Sequence, residues 1–292
     1  MKPKLLLIGI FCACVPAFAA PLTESTFTEI VKDVNVVAAT TKAAQPATVN
    51  ELVKAPDLVR TGPASRAELT AADQTITRVG ANTVFSFEPN GRNINLEKGS
   101  VLFHSPAGKG GGSIRSGGAA AAVLGTTLIV SSTGDGGFKV ILLEGKGTVT
   151  LPNGKSVTLK AGQLVFVLPG QTTFGPVLDI NLGKLVAGSQ LVNGFSNPLS
   201  SLPLIRKAID QQNQKLAGGS AQDTGLSPEN FSKAHQLSRG SGNGLNSIDK
   251  ASYQSSVGNS VSVVQLDILQ QQGKAPTGFN PGSRGVSIVG PK

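Results

Sequence analysis

Leu96-Glu97-Lys98-Gly99-Ser100-Val101-Leu102-Phe103-His104 opens the stretch whose reading decides the fold. The segment is apolar and short, and a glycine interrupts it. Val123–Ser131, Phe138–Leu143, Gly147–Leu151, Ser156–Leu159 and Leu164–Leu168 follow, bounded by Gly, Pro or Asn. Segments of this length and spacing predict the strands of an all-β domain. Asn90-Gly91 and Asn153-Gly154 supply the left-handed backbone that tight hairpins need.

Upstream, Leu58–Arg60, Ser65–Leu69, Thr75–Val79, Thr83–Phe87 and Arg92–Leu96 read the same way. Thr75, Thr77 and Val79 alternate there with Ile76 and Arg78. Glu29–Val37 is expected to form a first strand that pairs with the main sheet. Between the main strands, Gly108–Ser113 is polar and expected to be flexible. The six consecutive Gly or Ala residues that follow Ser116 predict close backbone approach or a bend rather than side-chain packing. Glycine (36 residues) and proline (17), with 15% charged residues, fit turns and strands better than long charged helices.

The chain changes character after Gly170. Thr173–Val192 is expected to form one last strand or a cap. Pro198–Leu216 predicts an amphipathic helix, with Leu202, Ile205, Ile209 and Leu216 opposite Arg206, Lys207 and Asp210. Gly218–Gly258 is rich in Ser, Gly and Asn and too poor in apolar surface to offset chain entropy. Val261–Gln272 is expected as a second short helix, and the Pro/Gly-rich end Gly273–Lys292 as disordered.

The N-terminus has the pattern of a cleavable signal peptide. Lys2 and Lys4 precede an apolar run, Leu5–Val15, and Ala17-Phe18-Ala19 forms an A-x-A site, so Ala20 is the expected first mature residue. An uncleaved anchor is the alternative, and lipidation at Cys14 a weaker one. Both cysteines, Cys12 and Cys14, lie inside that segment. A mature chain without them has no disulfide framework, thiolate zinc site or thiol nucleophile. With no later apolar run long enough to span a bilayer, the mature chain is expected to be soluble, in the periplasm or outside the cell. The expected division is a signal peptide (1–19), an N-terminal extension (20–56), a β domain (57–170), a capping strand and short-helix region (171–217) and a low-complexity tail (218–292).

The net charge is +9, and removing Lys2 and Lys4 leaves 24 basic against 17 acidic residues. The basic residues are scattered, with no run of three. Nucleic acid would require a basic stripe with interleaved aromatics, so it is not an expected partner. Weak attraction to anionic polysaccharide or lipid remains open.

Few residues offer chemistry. His104 ends a strand without a carboxylate nearby in sequence, and His235 lies in the tail, so neither predicts a metal site or a triad. Lys109–Ser113 and Gly154-Lys155-Ser156 resemble phosphate loops only superficially. The second has Val149 where the motif requires glycine, and strand rather than helix is expected after it. Gly134-Asp135-Gly136-Gly137 holds one carboxylate, too few for calcium. Glu144, before a glycine turn, is expected to face solvent. Asn230-Phe231-Ser232 is a formal glycosylation triplet. No catalytic residue, metal ligand or cofactor is expected.

Three groups of residues carry a family resemblance. Val59-Arg60-Thr61-Gly62-Pro63-Ala64-Ser65-Arg66-Ala67-Glu68-Leu69, followed by Thr75–Asn82, resembles the opening of the FecR domain. Leu96–Phe103, Ile114-Arg115-Ser116-Gly117 and Gly125-Thr126-Thr127-Leu128-Ile129-Val130 resemble its core. Val140–Val149 and Leu159-Lys160-Ala161-Gly162-Gln163 resemble its closing segments. The resemblance covers about Asp57–Gly170. It implies an all-β module of short stacked strands, closer to a twisted sandwich or β-solenoid than to a barrel. In the family such a module receives a periplasmic signal from an outer-membrane receptor, and a Trp-bearing cytoplasmic segment passes it to a sigma factor. This chain has no Trp, and that regulatory half is not expected. The expectation is an exported, non-enzymatic module that binds an envelope or outer-membrane protein or another envelope component. The alternative is a structural cell-surface or matrix protein that binds polysaccharide.

Overall fold

The computed structural model describes residues 20–117, 119–133, 136–168, 170–223 and 237–239. The expected signal peptide, the second short helix, His235, the glycosylation triplet and most of the low-complexity tail lie outside them.

In chain order the first strands are β1 (Glu24–Val31), β2 (Val34–Val37), β3 (Ala44–Pro46), β4 (Leu52–Lys54), β5 (Leu58–Thr61), β6 (Arg66–Thr70), β7 (Ile76–Val79) and β8 (Val84–Phe87). Then come β9 (Asn93–Ser105), β10 (Gly112–Ser116), β11 (Ala119–Val123), β12 (Thr126–Ser132) and β13 (Phe138–Glu144). β14 (Lys146–Thr150), β15 (Ser156–Lys160), β16 (Gln163–Val167) and β17 (Leu178–Asp179) complete the main body of sheet. Three helices follow: α1 (Leu182–Gly188), α2 (Gln190–Asn193) and α3 (Leu202–Ala217). Two three-residue strands, β18 (Ala221–Asp223) and β19 (Leu237–Arg239), pair with each other inside the low-complexity region.

The strands form two facing layers that share β9. The first layer has the order β4-β1-β6-β7-β9-β12-β13-β16-β17. The second has the order β3-β2-β5-β8-β9-β10-β11-β14-β15. Every pairing is antiparallel except β9–β10. The expected all-β sandwich-like module is therefore the observed fold.

The core fills the space between the layers. Phe27, Leu69, Val101, Phe103, Val130, Phe138 and Val140 of the first layer meet Val59, Phe85, Phe87, Ile94, Leu96, Ile114 and Leu159 of the second. Period-two alternation puts these residues on the inner faces. Burying each large apolar side chain stabilises the fold by about 1.5–3 kcal/mol.

One glycine makes the sharing of β9 possible. The sequence divides at Leu96 into two expected strands, yet Asn93–Ser105 is continuous across both layers. Gly99 has φ +92°, and a Cβ there would lie 2.5 Å from the Thr83 Cα. The strand bends at this residue instead of ending.

The expected strand Glu29–Val37 is in fact two. Lys32 takes φ +64°, and the chain crosses from β1 in the first layer to β2 in the second. The Gly/Ala passage is likewise strand rather than flexible link. Gly117, with φ +56°, joins β10 to β11, whose Ala119 and Ala121 point into the core. Gly117 shows the expected close approach, since a Cβ there would lie 3.1 Å from the Gly136 Cα, whereas Gly112, in the stretch expected to be flexible, opens β10 with its α-carbon packed on the Phe103 ring.

The outer face of the first layer carries a second apolar cluster. Leu102, Ile129, Ile141, Leu164 and Phe166 are covered by Leu182, Leu185, Leu191, Val192, Leu199 and Ile205 from the helical segment. The Asn181 side chain caps α1 by accepting from Lys184 N. Gln212 of α3 ties the two ends of that cover together. It accepts from Leu182 N and donates to the Ile180 carbonyl, both at 2.8 Å. The amphipathic helix lies where its periodicity predicts, over 202–217, with Ile205 fully buried.

Candidate functional site: a buried polar cluster and an open sheet face

Three strands bring His104, Thr127 and Glu144 into one cross-strand row, since Thr127 pairs with both His104 and Glu144. The row lies on the outer face of the first layer, under the start of α3, which adds Ser201. Thr127 Oγ1 is 2.8 Å from Glu144 Oε1, 2.9 Å from His104 Nδ1 and 2.7 Å from Ser201 Oγ. Three bonds exhaust the one proton and two lone pairs of a hydroxyl. His104 Nδ1 lies 3.9 Å from Glu144 Oε1.

Both titratable members are shifted against their charged forms. Burial lowers the His104 pKa below the usual imidazole value, and a hydrogen bond to the Thr126 backbone opposes that shift only in part. Burial likewise raises Glu144, with the Thr127 hydroxyl pulling the other way. The expectation that Glu144 faces solvent is thus corrected. Gly145 (φ +79°) turns the chain only after it, so Glu144 still belongs to β13 and points beneath the helical cover.

A cleft of about 420 Å³ opens beside the cluster, lined by Gln74, Ile76, His104, Pro106, Ala107, Ser200, Ser201 and Leu204. Nucleophilic catalysis needs an accessible hydroxyl aligned on a base. Here Ser201 is 1% exposed, and it and His104 both reach Thr127. The cluster fastens α3 to the sheet.

A second polar group fastens the segment before α3. Arg78 has no solvent exposure, and its Nε donates to Glu68 Oε2 at 2.7 Å. Nη1 donates to the Val192 carbonyl and Nη2 to the Asn197 carbonyl, at 2.8 and 2.7 Å. The guanidinium stacks on Phe195, 4.4 Å from the ring centroid. Arg66 Nε donates to the Gly194 carbonyl, and Glu29 accepts from Ser196 N.

The outer face of the second layer, by contrast, has no helix across it among the described residues. Asn93, Ser113, Ala122, Thr148 and Thr158 form one row across it. Leu58, Ser86, Asn95, Arg115, Ala120, Thr150 and Ser156 form the next. Arg60, Glu97 and Lys98 line a hollow of about 420 Å³ near one end, with Val37, Leu58 and Val84. Lys146 and Lys160 stand opposite each other at the far edge.

The other sequence candidates fall apart in space. Lys109 lies in the link before β10, and Gly154 (φ +80°) makes the β14–β15 turn, with strand after each. Gly134 and Asp135 lie outside the described residues. Among the described residues no group of three or more His, Cys, Asp or Glu side chains could hold a metal ion. No helix among them is long and apolar enough to cross a membrane.

No curated protein matches the chain. Two crystal structures of an anti-sigma factor candidate from Parabacteroides distasonis ATCC 8503 are similar, each with 19% identity and a TM-score of 0.40. They cover 44% of this chain, which spans 63% and 62% of theirs. The family model described as FecR protein matches residues 57–146, from just before β5 to the first residue of β14. Over those residues the chain is similar to the FecR domain, in agreement with the sequence motifs.

Proposed function

We propose that this chain is an exported, non-enzymatic recognition module that binds a component of the cell envelope through the open face of its second layer. The observation that carries the reading is the asymmetry of the FecR-like sandwich. Helices and strands seal one outer face with fifteen buried apolar residues, while the other outer face presents chiefly Asn, Ser, Thr, Ala, Arg and Lys, with Val37, Leu58, Val84 and Glu97 at one end. Export rests on the basic and apolar N-terminal pattern ending in Ala17-Phe18-Ala19. The fold is anchored directly after that site: Arg92 Nη1 donates to the Ala20 carbonyl at 2.7 Å, and Leu22 is buried.

Site-specific photo-crosslinking in cells tests this with the full-length chain. A photoreactive residue at Asn95 or Thr148 should capture envelope material, whether protein or glycan. The same residue at Lys207, on α3, should capture little. Adducts from Lys207 alone, or from no position, would overturn the reading.

A further inference from the structure

We infer that the open face is a docking track for an anionic polysaccharide, a reading that rests on the proposed recognition role of that face. Five cations run diagonally across it, from Lys160 and Lys146 at one edge, through Arg115, to Lys98 and Arg60. The track crosses six strand spacings, about 30 Å at the usual interstrand distance. That length suits an extended polymer better than a small molecule.

Three observations set these cations apart from a merely solvated surface. Arg66, Arg78 and Arg92 elsewhere in the fold are held by carbonyls or carboxylates. Among the described residues the side-chain nitrogens of Arg60, Lys98, Lys146 and Lys160 have no ion-pair or hydrogen-bond partner, and Arg66, Arg78 and Arg92 supply the contrast. Lys146 and Lys160 are also direct cross-strand neighbours, an arrangement that costs stability and that an anion between them would relieve. The carboxylates nearby do not cancel the charge. Glu97 lies beside Lys98 and Asp33 shares a hollow with Arg60 and Lys98, and Glu88 Oε1 approaches Arg115 Nε at 3.9 Å with that arginine side chain still 55% exposed, so three carboxylates stand against five cations.

The floor between the cations decides the chemical class. Asn93, Asn95, Ser113, Ala120, Ala122, Thr148, Thr150 and Thr158 are all short, with hydroxyls and amides dominant, and larger apolar side chains (Val37, Leu58, Val84) enter only at the hollow beside Arg60 and Lys98. Protein interfaces draw their strongest contacts from Trp, Tyr and Arg packed in desolvated pockets. Among the described residues no aromatic side chain of the second-layer strands points out of this face; Phe85 and Phe87 point into the core. A hydrated chain of carboxylated or sulfated sugars fits such a floor, because its hydroxyls meet Asn, Ser and Thr while its charges meet Lys and Arg.

The test is titration of the full-length mature chain with polygalacturonate at low salt, with neutral dextran and phosphatidylglycerol vesicles as comparisons. Binding to polygalacturonate and not to dextran is expected. K146Q/K160Q and R60Q/K98Q should each weaken it about fivefold, as the loss of two exposed charge contacts implies. R206Q/K207Q removes the same charge from the helical side and should change affinity less than twofold. Equal weakening by all three pairs, equal binding to dextran, or tighter binding to the vesicles would overturn the inference. The outcome is separable from the recognition reading. Envelope protein captured at Asn95 or Thr148 without polygalacturonate binding leaves recognition standing and removes the glycan. Polygalacturonate binding without any envelope adduct does the reverse.

Discussion

Replacing Arg78 by leucine should detach the helical cover at a cost that the structure makes large. The guanidinium has no solvent exposure and serves five partners at once: Glu68, the carbonyls of Leu191, Val192 and Asn197, and the Phe195 ring. Its loss leaves Glu68, itself 6% exposed, with only the Thr28 hydroxyl at 2.8 Å. Breaking a buried pair from one side costs about 3–5 kcal/mol, chiefly because the remaining charge is unpaired. Each carbonyl stripped of its donor is worth about 1 kcal/mol, but the partners are neighbours and these contributions do not simply add. We therefore expect a loss of about 3–5 kcal/mol, a large share of the roughly 5–15 kcal/mol that a domain has. Urea unfolding of the full chain measures it. The double variant E68L/R78L, which leaves no orphaned charge, should lose less than R78L alone. Hydrogen exchange should show residues 189–197 losing protection in R78L before the strands do. A loss below about 1 kcal/mol, or a double variant worse than R78L, would refute the reasoning.

Other outcomes follow from single sites. Gly99→Ala forces a side chain into φ +92° and onto Thr83, so a loss of about 2–4 kcal/mol is expected from backbone strain and overpacking together, read from urea midpoints. The His104–Glu144 pair sets pH limits in opposite directions. His104 is depressed, so its contribution is present above the ordinary imidazole value of 6.5 and is lost as pH falls through the folded pKa. Glu144 is raised, so its contribution is present below 4.5 and is lost as pH rises through the folded pKa. Unfolding followed from pH 4 to 8 (about the range these two values bracket) should show H104Q blunting the acid-side loss and E144Q raising stability on the neutral side. Parallel profiles for both variants and the wild type would show that neither group titrates in the fold. Lys160→Thr should raise the urea midpoint slightly at low salt by relieving Lys146, and the gain should vanish at high salt.

Much of the sandwich was legible because Thr75–Val79, Thr83–Phe87 and Phe138–Leu143 are short β-prone runs between turn residues, and nearly every residue in them is buried. The hairpin at Asn153-Gly154 and the apolar stripe of α3 were legible for the same reason, since each is set by local chemistry. What failed was non-local. Nothing in Glu29–Val37 marks Lys32 as left-handed, because lysine has no intrinsic preference for that backbone and only the crossing between layers imposes it. The sequence divides the run at Leu96, where no local residue tells an end from a continuation, and the one strand instead bends at Gly99. Glu144 reads as solvent-facing until the register places it 17 residues from Thr127 in sequence and 2.8 Å away in space. Nothing in the run Ala119–Ala122 marks which face is open, since four identical residues carry no alternation and only their burial separates Ala119 and Ala121 from Ala120 and Ala122.

Lysine footprinting offers a direct test of which face works. The full-length mature chain would be acylated with and without envelope extract, and the modification of each lysine quantified. Protection of Lys98, Lys146 and Lys160, with Lys207 and Lys215 on α3 unchanged, is the predicted result. Protection of the α3 lysines, or of none, would contradict the assignment of recognition to the open face.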